Sequence, residues 1–537
     1  MGLWRNFLEP IPAEKKQLLE ERWRELAPEL RSVAQGFGQQ CTGCGALIGA
    51  FPRCDFDCKG CYLGSRANAA KPFDEAEIDR QLAHLRRHLG PKGNLQITDG
   101  EVTLMAPKRL VALLRRAREL GMIPMLMTHG DSFRRRPELL PRLVSEGGLT
   151  EVSIHVDSSQ KGRRGFPIGD FAVGDEAALH PLRDEFAAMI RQVRRRTGVR
   201  LRAATTVTVS RDNLDGVGDV VAWCLANRDA FGILSFQPLA QVGRTLSHLE
   251  GITHDELWSR IGAVLEPHGF STAQRGAVRF GHLDCTRTEP MVAYQRRGEG
   301  PRLFSMLRPG DPADEAIVQQ FLGRGFGGVV FRDDRPLDRL GRALGLFRQA
   351  PGWFLGPFRR WLVGRLHQLG TGPARLMRDL ALGAVRIDSF AVASHSFMSA
   401  AELDTETGRE RLAACVFRVP VGDRMVSMCE VNARGLRQQL YDLGTSSGFA
   451  AFEPQDQAVA AAFEPPGEQR REQASEQEQA GDGGELEAQI VARETAEIHP
   501  VTAALGVGVG LPSGGIGGQA PGEATGAGEH EGAAKSI

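Results

Sequence analysis

The stretch "ALIGAFPRCDFDCKGCYLG", residues 46–64, passes from an apolar run straight into a polar segment holding three cysteines. Cys54, Cys58 and Cys61 are spaced C-x3-C-x2-C, with no histidine and no fourth cysteine close behind. Structural zinc wants four tetrahedral ligands, usually in two C-x2-C pairs. Cys58 and Cys61 make one such pair, and Cys41 and Cys44 of "CTGCG" would be the other. An iron–sulfur cluster is the alternative, because thiolates hold it readily and an iron without a protein ligand accepts one from elsewhere. Three cysteines suit a cubane cluster with three irons bound by the chain and one left open. The spacing favours that reading and leaves zinc standing.

Outward from these cysteines a repeat sets in. Short apolar runs at 46–51, 94–98, 123–128, 151–157, 201–209 and 232–239 alternate with helix-period stretches at 75–89, 107–120, 137–146, 176–197 and 213–227. Six strands alternating with helices predict parallel pairing with right-handed crossovers. The sheet closes as an open doubly wound layer or as a barrel, and in both the chemistry belongs at the C-terminal ends of the strands. The cysteine trio follows the first run directly, which puts it on that edge.

The chain has 537 residues, 42% hydrophobic and 25% charged, the composition of a soluble protein with more than one unit. Its formal net charge is zero, but residues 464–537 carry 13 acids and 4 bases, so residues 1–463 carry +9. That excess is too mild to call for a nucleic acid. No basic stretch followed by an apolar one opens the chain, and no apolar run approaches a membrane span. Nine cysteines without an export signal predict reduced thiols and a cytoplasmic setting. Beyond Phe463 there is no aromatic residue, and 464–537 is expected to be a disordered tail.

C-x3-C-x2-C in the loop after the first strand resembles the radical S-adenosylmethionine (radical SAM) superfamily. The resemblance implies a partial (β/α)6 TIM-like barrel over about residues 45–245. It implies that Cys54, Cys58 and Cys61 hold a [4Fe–4S] cluster whose open iron is chelated by S-adenosylmethionine (SAM). It implies that reductive cleavage of SAM then gives a radical that abstracts hydrogen from substrate. After the second strand the family carries Gly-Gly-Glu against the cofactor's ammonium group; here "TDGEVTL" supplies Asp99, Gly100 and Glu101, with aspartate in place of the first glycine. His155 and Asp157 of "SIHVDSS", Thr206 of the fifth strand and Gln237 of the sixth are the further cofactor contacts it implies. Gly60 stands where many members have an aromatic residue, and Tyr62 would cover the cluster instead. A flavodoxin- or ferredoxin-type electron donor is implied as well.

Cys224, inside the helical "VVAWCLAN", reads as a small buried hydrophobe. Cys41, Cys44, Cys285, Cys415 and Cys429 read as metal ligands, either of auxiliary iron–sulfur clusters or of a structural zinc. The segment "HSFM" (395–398) and the C-x-x-N pattern at Cys429 are similar to radical SAM enzymes of the archaeal tetraether-lipid synthase type, which implies a lipid or hydrocarbon-bearing substrate. In "APGWFLGPFRRWLVGRLHQLG" (350–370), Phe354, Phe358, Trp361, Leu362, Leu366 and Leu369 share one helical face, with Pro357 read as the helix start. That face would lie peripherally in a bilayer surface or cover the barrel mouth. The chain thus divides into an N-terminal segment (1–44) with an amphipathic helix expected over Ala13–Gln35 and the CxxC pair, the barrel (45–245), an Arg-rich connection (246–385), a mixed C-terminal metal module (386–463) and the tail. Two rival readings are a peptide-modifying maturase of the same superfamily and a non-enzymatic zinc-binding α/β protein.

Overall fold

The computed structural model describes residues 2–446, apart from 65–66, 164–174, 272–277, 306, 309 and 332–334. The expected tail lies outside the described residues. The six anticipated strands form β1 (Cys44–Leu47), β2 (Asn94–Ile97), β3 (Ile123–Thr128), β4 (Glu151–His155), β5 (Arg202–Val209) and β6 (Phe231–Pro238). They pair in chain order, each parallel to the next. Five later strands extend the sheet at its edges: β8 (Thr286–Arg296) after β7 (Val278–Arg279), then β10 (Val385–His395), β11 (Phe417–Val421) and β12 (Arg424–Ser427). β9 (Arg302–Ser305) pairs with β8 off that path, and the full order is β12-β11-β1-β2-β3-β4-β5-β6-β10-β8-β7. Residues 386–463 were set apart as a module by sequence. Their strands β10 and β11 instead join β6 and β1 in the barrel sheet.

Side-chain alternation explains the curl. On β2, β3 and β4, Leu95, Ile97, Leu126, Val152 and Ile154 are fully buried against the outer helices. Their neighbours Gln96, Met127 and Ser153 point the other way and line one internal cavity together with Thr206 and Gln237. Side chains from five successive strands meet there only if the sheet wraps around them, as in a half-barrel.

The helix Glu75–Leu89 shows why the outer layer forms. Asp74 caps it by accepting from Glu77 N at 2.7 Å, and Gly90 ends it with φ +70°. Ile78, Leu82, Leu85 and Leu89 fall on one buried stripe, each burial contributing about 1.5–3 kcal/mol. The helix Pro107–Glu119 repeats the pattern with Leu110, Leu113, Leu114 and Ala117.

Two expectations change. The N-terminal helix stops at Glu25, short of the expected Gln35, because Pro28 starts a separate 3-10 turn. The helical stretch expected to begin at Pro357 begins at Pro351, and Pro357 is absorbed by a π-turn over Phe354–Phe358. Part of its apolar face is taken up within the protein. Phe354, Phe358 and Trp361 pack with Ile11, Ile317, Phe326, Leu346 and Trp353 in a second cluster. Among the described residues no helix is long and apolar enough to cross a membrane.

Candidate active site

The loop Arg53–Gly64 has no regular secondary structure, so its shape comes from neighbours. Asp57 N and Lys59 N donate to Lys161 O and Ser159 O, both at 2.9 Å. Glu101 N donates to Arg53 O at 2.7 Å, and Cys61 N to Thr245 Oγ1 at 3.2 Å. Two glycines let other loops approach. At Gly100 (φ +78°) a Cβ would meet Arg53 O at 2.4 Å, and at Gly243 (φ +61°) it would meet Tyr62 O at 2.4 Å.

The three thiols lie close enough to feel one another. Burial pushes Cys54 well above the ordinary thiol range, helped by the neighbouring Cys58 and Glu101. Burial also pushes Cys58 up, then Cys61 and Asp157. Arg244 donates from Nε to Cys61 Sγ at 3.4 Å and from Nη2 to Phe56 O at 3.1 Å. Cys54 and Cys58, which resist ionisation unless a cation joins them, sit with Cys61 as the donor set of a metal centre, and all three line the cavity. The residues therefore fit a cluster.

Cys54, Cys58, Cys61, Gly100, Glu101, His155, Thr206 and Gln237 line that cavity, whose volume is about 180 Å³. Asp99 and Asp157 do not. Glu101 is buried and accepts from Thr128 Oγ1 at 2.6 Å, His129 N at 2.8 Å and Thr103 N at 3.1 Å. His155 is hydrogen-bonded to Asp157, which also accepts from Thr208 N at 2.7 Å and Ser159 Oγ at 2.6 Å. Burial works against the charge on Asp157, but His155, Ser159 and Thr208 hold its pKa below the ordinary value. Thr206 shares a hydrogen bond with Ser153 Oγ at 2.8 Å.

Asp99 has another occupation. It is fully buried with φ +90°, and its Oδ2 accepts from Gly49 N at 2.6 Å. Its Oδ1 accepts from both Arg437 Nη1 and Tyr441 Oη, on the last described helix, Leu436–Ser446. The Arg437 guanidinium lies 4.9 Å from the Tyr62 ring centre, and Tyr441 packs beside Leu63, Cys54 and Cys61. The aspartate that departs from the family's glycine thus clasps the C-terminal helix against the cysteine loop.

Sequence reasoning missed several neighbours. His129 stacks on Phe56 with ring centres 3.7 Å apart and bonds Asp55 Oδ1 at 2.8 Å, and Arg135 reaches Asp55 Oδ2 at 2.8 Å. Although burial opposes it, this pairing holds Asp55 down to about 2. Ligand atoms of Cys54, Asp55 and His129 lie within 4.8 Å of one another. The signal was available: His129 directly follows β3, at the strand end where chemistry collects.

The remaining cysteines divide. Cys44, Cys285, Cys415 and Cys429 line an adjoining cavity of about 270 Å³, which shares Gln96, Met127, Ser153, Thr206 and Gln237 with the first. Burial and then Cys415 push Cys429 up to about 12. Arg411 Nε donates to Cys285 Sγ at 3.4 Å. Cys41, with Cys44, lines a larger cleft of about 880 Å³ that also holds Lys15. Burial pulls Lys15 down to about 8 against the two thiols. Cys224 is fully buried in its helix, as its surroundings in sequence predicted.

Residues 48–210 match the profile of the family described as the Radical SAM superfamily. No curated protein sequence matches the chain. Among solved structures it is similar to Streptococcus suis SuiB, at 13% identity and TM-score 0.29 over 42% of this chain and 46% of that one. It is also similar to native anSMEcpe with bound AdoMet, at 13% identity and TM-score 0.30 over 42% of this chain and 59% of that one. The chain spans about half the length of these structures. Residues 48–210, the stretch that holds the cysteine loop and β2 to β5, carry the match to a radical SAM domain.

Proposed function

We propose that Cys54, Cys58 and Cys61 hold the [4Fe–4S] cluster and that SAM occupies the cavity beside them. Gly100, Glu101, His155, Thr206 and Gln237 would form its wall. When bound, cluster and SAM together supply one-electron cleavage of SAM and a carbon radical that takes hydrogen from substrate. The chain's own residues do the rest. Glu101, held by four donors from its own chain, presents a fixed negative group where the cofactor's ammonium is expected. Asp157 orients His155, and Asp99 fixes the turn that carries Gly100. Met127, Leu239, Phe397, Phe417 and Met428 give the cavity an apolar wall.

The single observation behind this reading is that three thiols and the C-terminal ends of β2 to β6 open on one cavity. That cavity's apolar lining fits a lipid-like or hydrocarbon-bearing substrate. Cys285, Cys415 and Cys429, with Cys44 and Cys41 nearby, would hold an auxiliary metal centre beyond it, and a small flavodoxin- or ferredoxin-type protein would deliver electrons. Anaerobic reconstitution tests the reading. A brown protein with iron and sulfide that forms 5′-deoxyadenosine from SAM with a reductant supports it. Colourless protein with stoichiometric zinc and no 5′-deoxyadenosine overturns it.

A further inference from the structure

The helix Gly2–Leu8 lies along the helix Pro336–Gln349, with Gly341 and Gly345 at the seam. A Cβ at either glycine would meet Leu3 O or Phe7 O at 2.6 Å. Asn6 Nδ2 donates to Asp338 Oδ1 at 3.2 Å, and Arg348 Nη2 donates to Leu8 O at 3.1 Å. With that seam filled, Leu337, Leu340, Leu344 and Phe347 follow one another at i, i+3, i+7 and i+10 along the neighbouring face, all exposed. Leu337 is 66% exposed, and Trp4 on the shorter helix is 69% exposed, with Leu8 one turn on also bare. Leu355, in the next turn of chain, is exposed as well, close to where the Phe347 and Phe354 rings come within 6.0 Å.

The charge around this face is predominantly positive. From Arg335 to Leu382 the chain has nine arginines, two aspartates and no lysine or glutamate. Both aspartates are spoken for: Asp338 accepts from Asn6, and buried Asp379 pairs with Arg296 and Arg378. Arg342 and Arg365 are buried, but Arg335, Arg348, Arg359 and Arg360 are exposed.

We propose that this face, and not the Phe354–Trp361 stripe, docks the protein on an anionic bilayer surface. Leu337, Leu340, Leu344, Phe347, Trp4 and Leu8 would sit at the headgroup boundary, with the arginines on lipid phosphates. Exposed aromatic and leucine side chains beside arginines are the composition of an interfacial surface, and anionic lipid attracts each nearby cation. A second copy of the chain is a poorer occupant, since a two-fold contact would set the same arginines against themselves. The proposal extends the lipid-like reading by naming where such a substrate is met, but its test does not depend on SAM chemistry.

The full-length, reconstituted protein is sedimented with vesicles of phosphatidylcholine alone and with added phosphatidylglycerol. Binding that requires phosphatidylglycerol, weakens as salt is raised, and falls by about tenfold or more in Leu340→Glu/Leu344→Glu is expected. Phe358→Glu would disrupt packing, so Arg359→Glu/Arg360→Glu serves as the second variant, and it should weaken binding without changing elution volume. Equal binding to both vesicle types, or binding unchanged in both variants, overturns the proposal. So does a concentration-dependent dimer that Leu340→Glu/Leu344→Glu abolishes in the absence of vesicle binding. Intact 5′-deoxyadenosine formation alongside failed vesicle binding would sink the docking face and leave the enzyme assignment untouched.

Discussion

Two nests of three thiols sit around the same barrel, and they are built in opposite ways. Cys54, Cys58 and Cys61 come from one short loop, so the chain spaces them before it folds. Cys285, Cys415 and Cys429 come from the start of β8, the approach to β11 and the helix Met428–Ala433, and meet only when the sheet edges have assembled. Each nest has a guanidinium donating to one sulfur at 3.4 Å, Arg244 on the first and Arg411 on the second. The first is also roofed by a helix pinned through Asp99. Local spacing creates donors cheaply, and long-range contacts decide how well they are shielded.

The largest effect separates the nests outright. Cys58→Ala should reduce 5′-deoxyadenosine formation to background, because the first nest falls to two thiols. Retained cleavage would break the distinction between them. Next, Arg437→Met should destabilise the folded protein by about 3–5 kcal/mol in urea unfolding, because it strands the buried Asp99 carboxylate. Asp99→Gly/Arg437→Met, which removes both charges and relaxes a backbone with φ +90°, should recover much of that loss. Cys429→Ala should lower iron per chain while SAM cleavage survives; equal loss of both would merge the two nests into one centre.

The smallest effect concerns the second nest's edge of the sheet. His88 lies beside Arg22, whose Nη2 is 3.1 Å from His88 Nδ1, and near Arg418 of β11. Burial, then these two arginines, pull it down to about 3. Its unfolded value is near 6.5, so the unfolded chain binds the extra proton between those limits. Stability is therefore full above about pH 6.5 and declines as pH falls toward 3. His88→Gln should flatten the dependence of Tm on pH in that window.

Much of the barrel was legible because its strands and helices obey local periods. The helix expected at 75–89 forms over those residues, and β3 matches the run 123–128. The first cysteine trio was legible for the same reason. What sequence did not disclose was partnership between distant segments. Asp99 read as a cofactor contact because its neighbours are Gly100 and Glu101, while Arg437 is 338 positions away. Trp361 read as a surface anchor because its helix is amphipathic. Nothing local says that Asp314 takes its indole N–H at 2.7 Å or that Ile11 and Phe326 pack in the same cluster. β10 and β11 escaped because edge strands are defined by their register with β6 and β1.

The Asp99–Arg437 clasp sets an order of events during synthesis. At ordinary elongation rates the ribosome needs on the order of tens of seconds to travel from the first of these residues to the second. Throughout that interval the nascent cysteine loop lacks its roof. The loop therefore stays unroofed until the helix Leu436–Ser446 has emerged, and a metal centre on these thiols would be easiest to load before then.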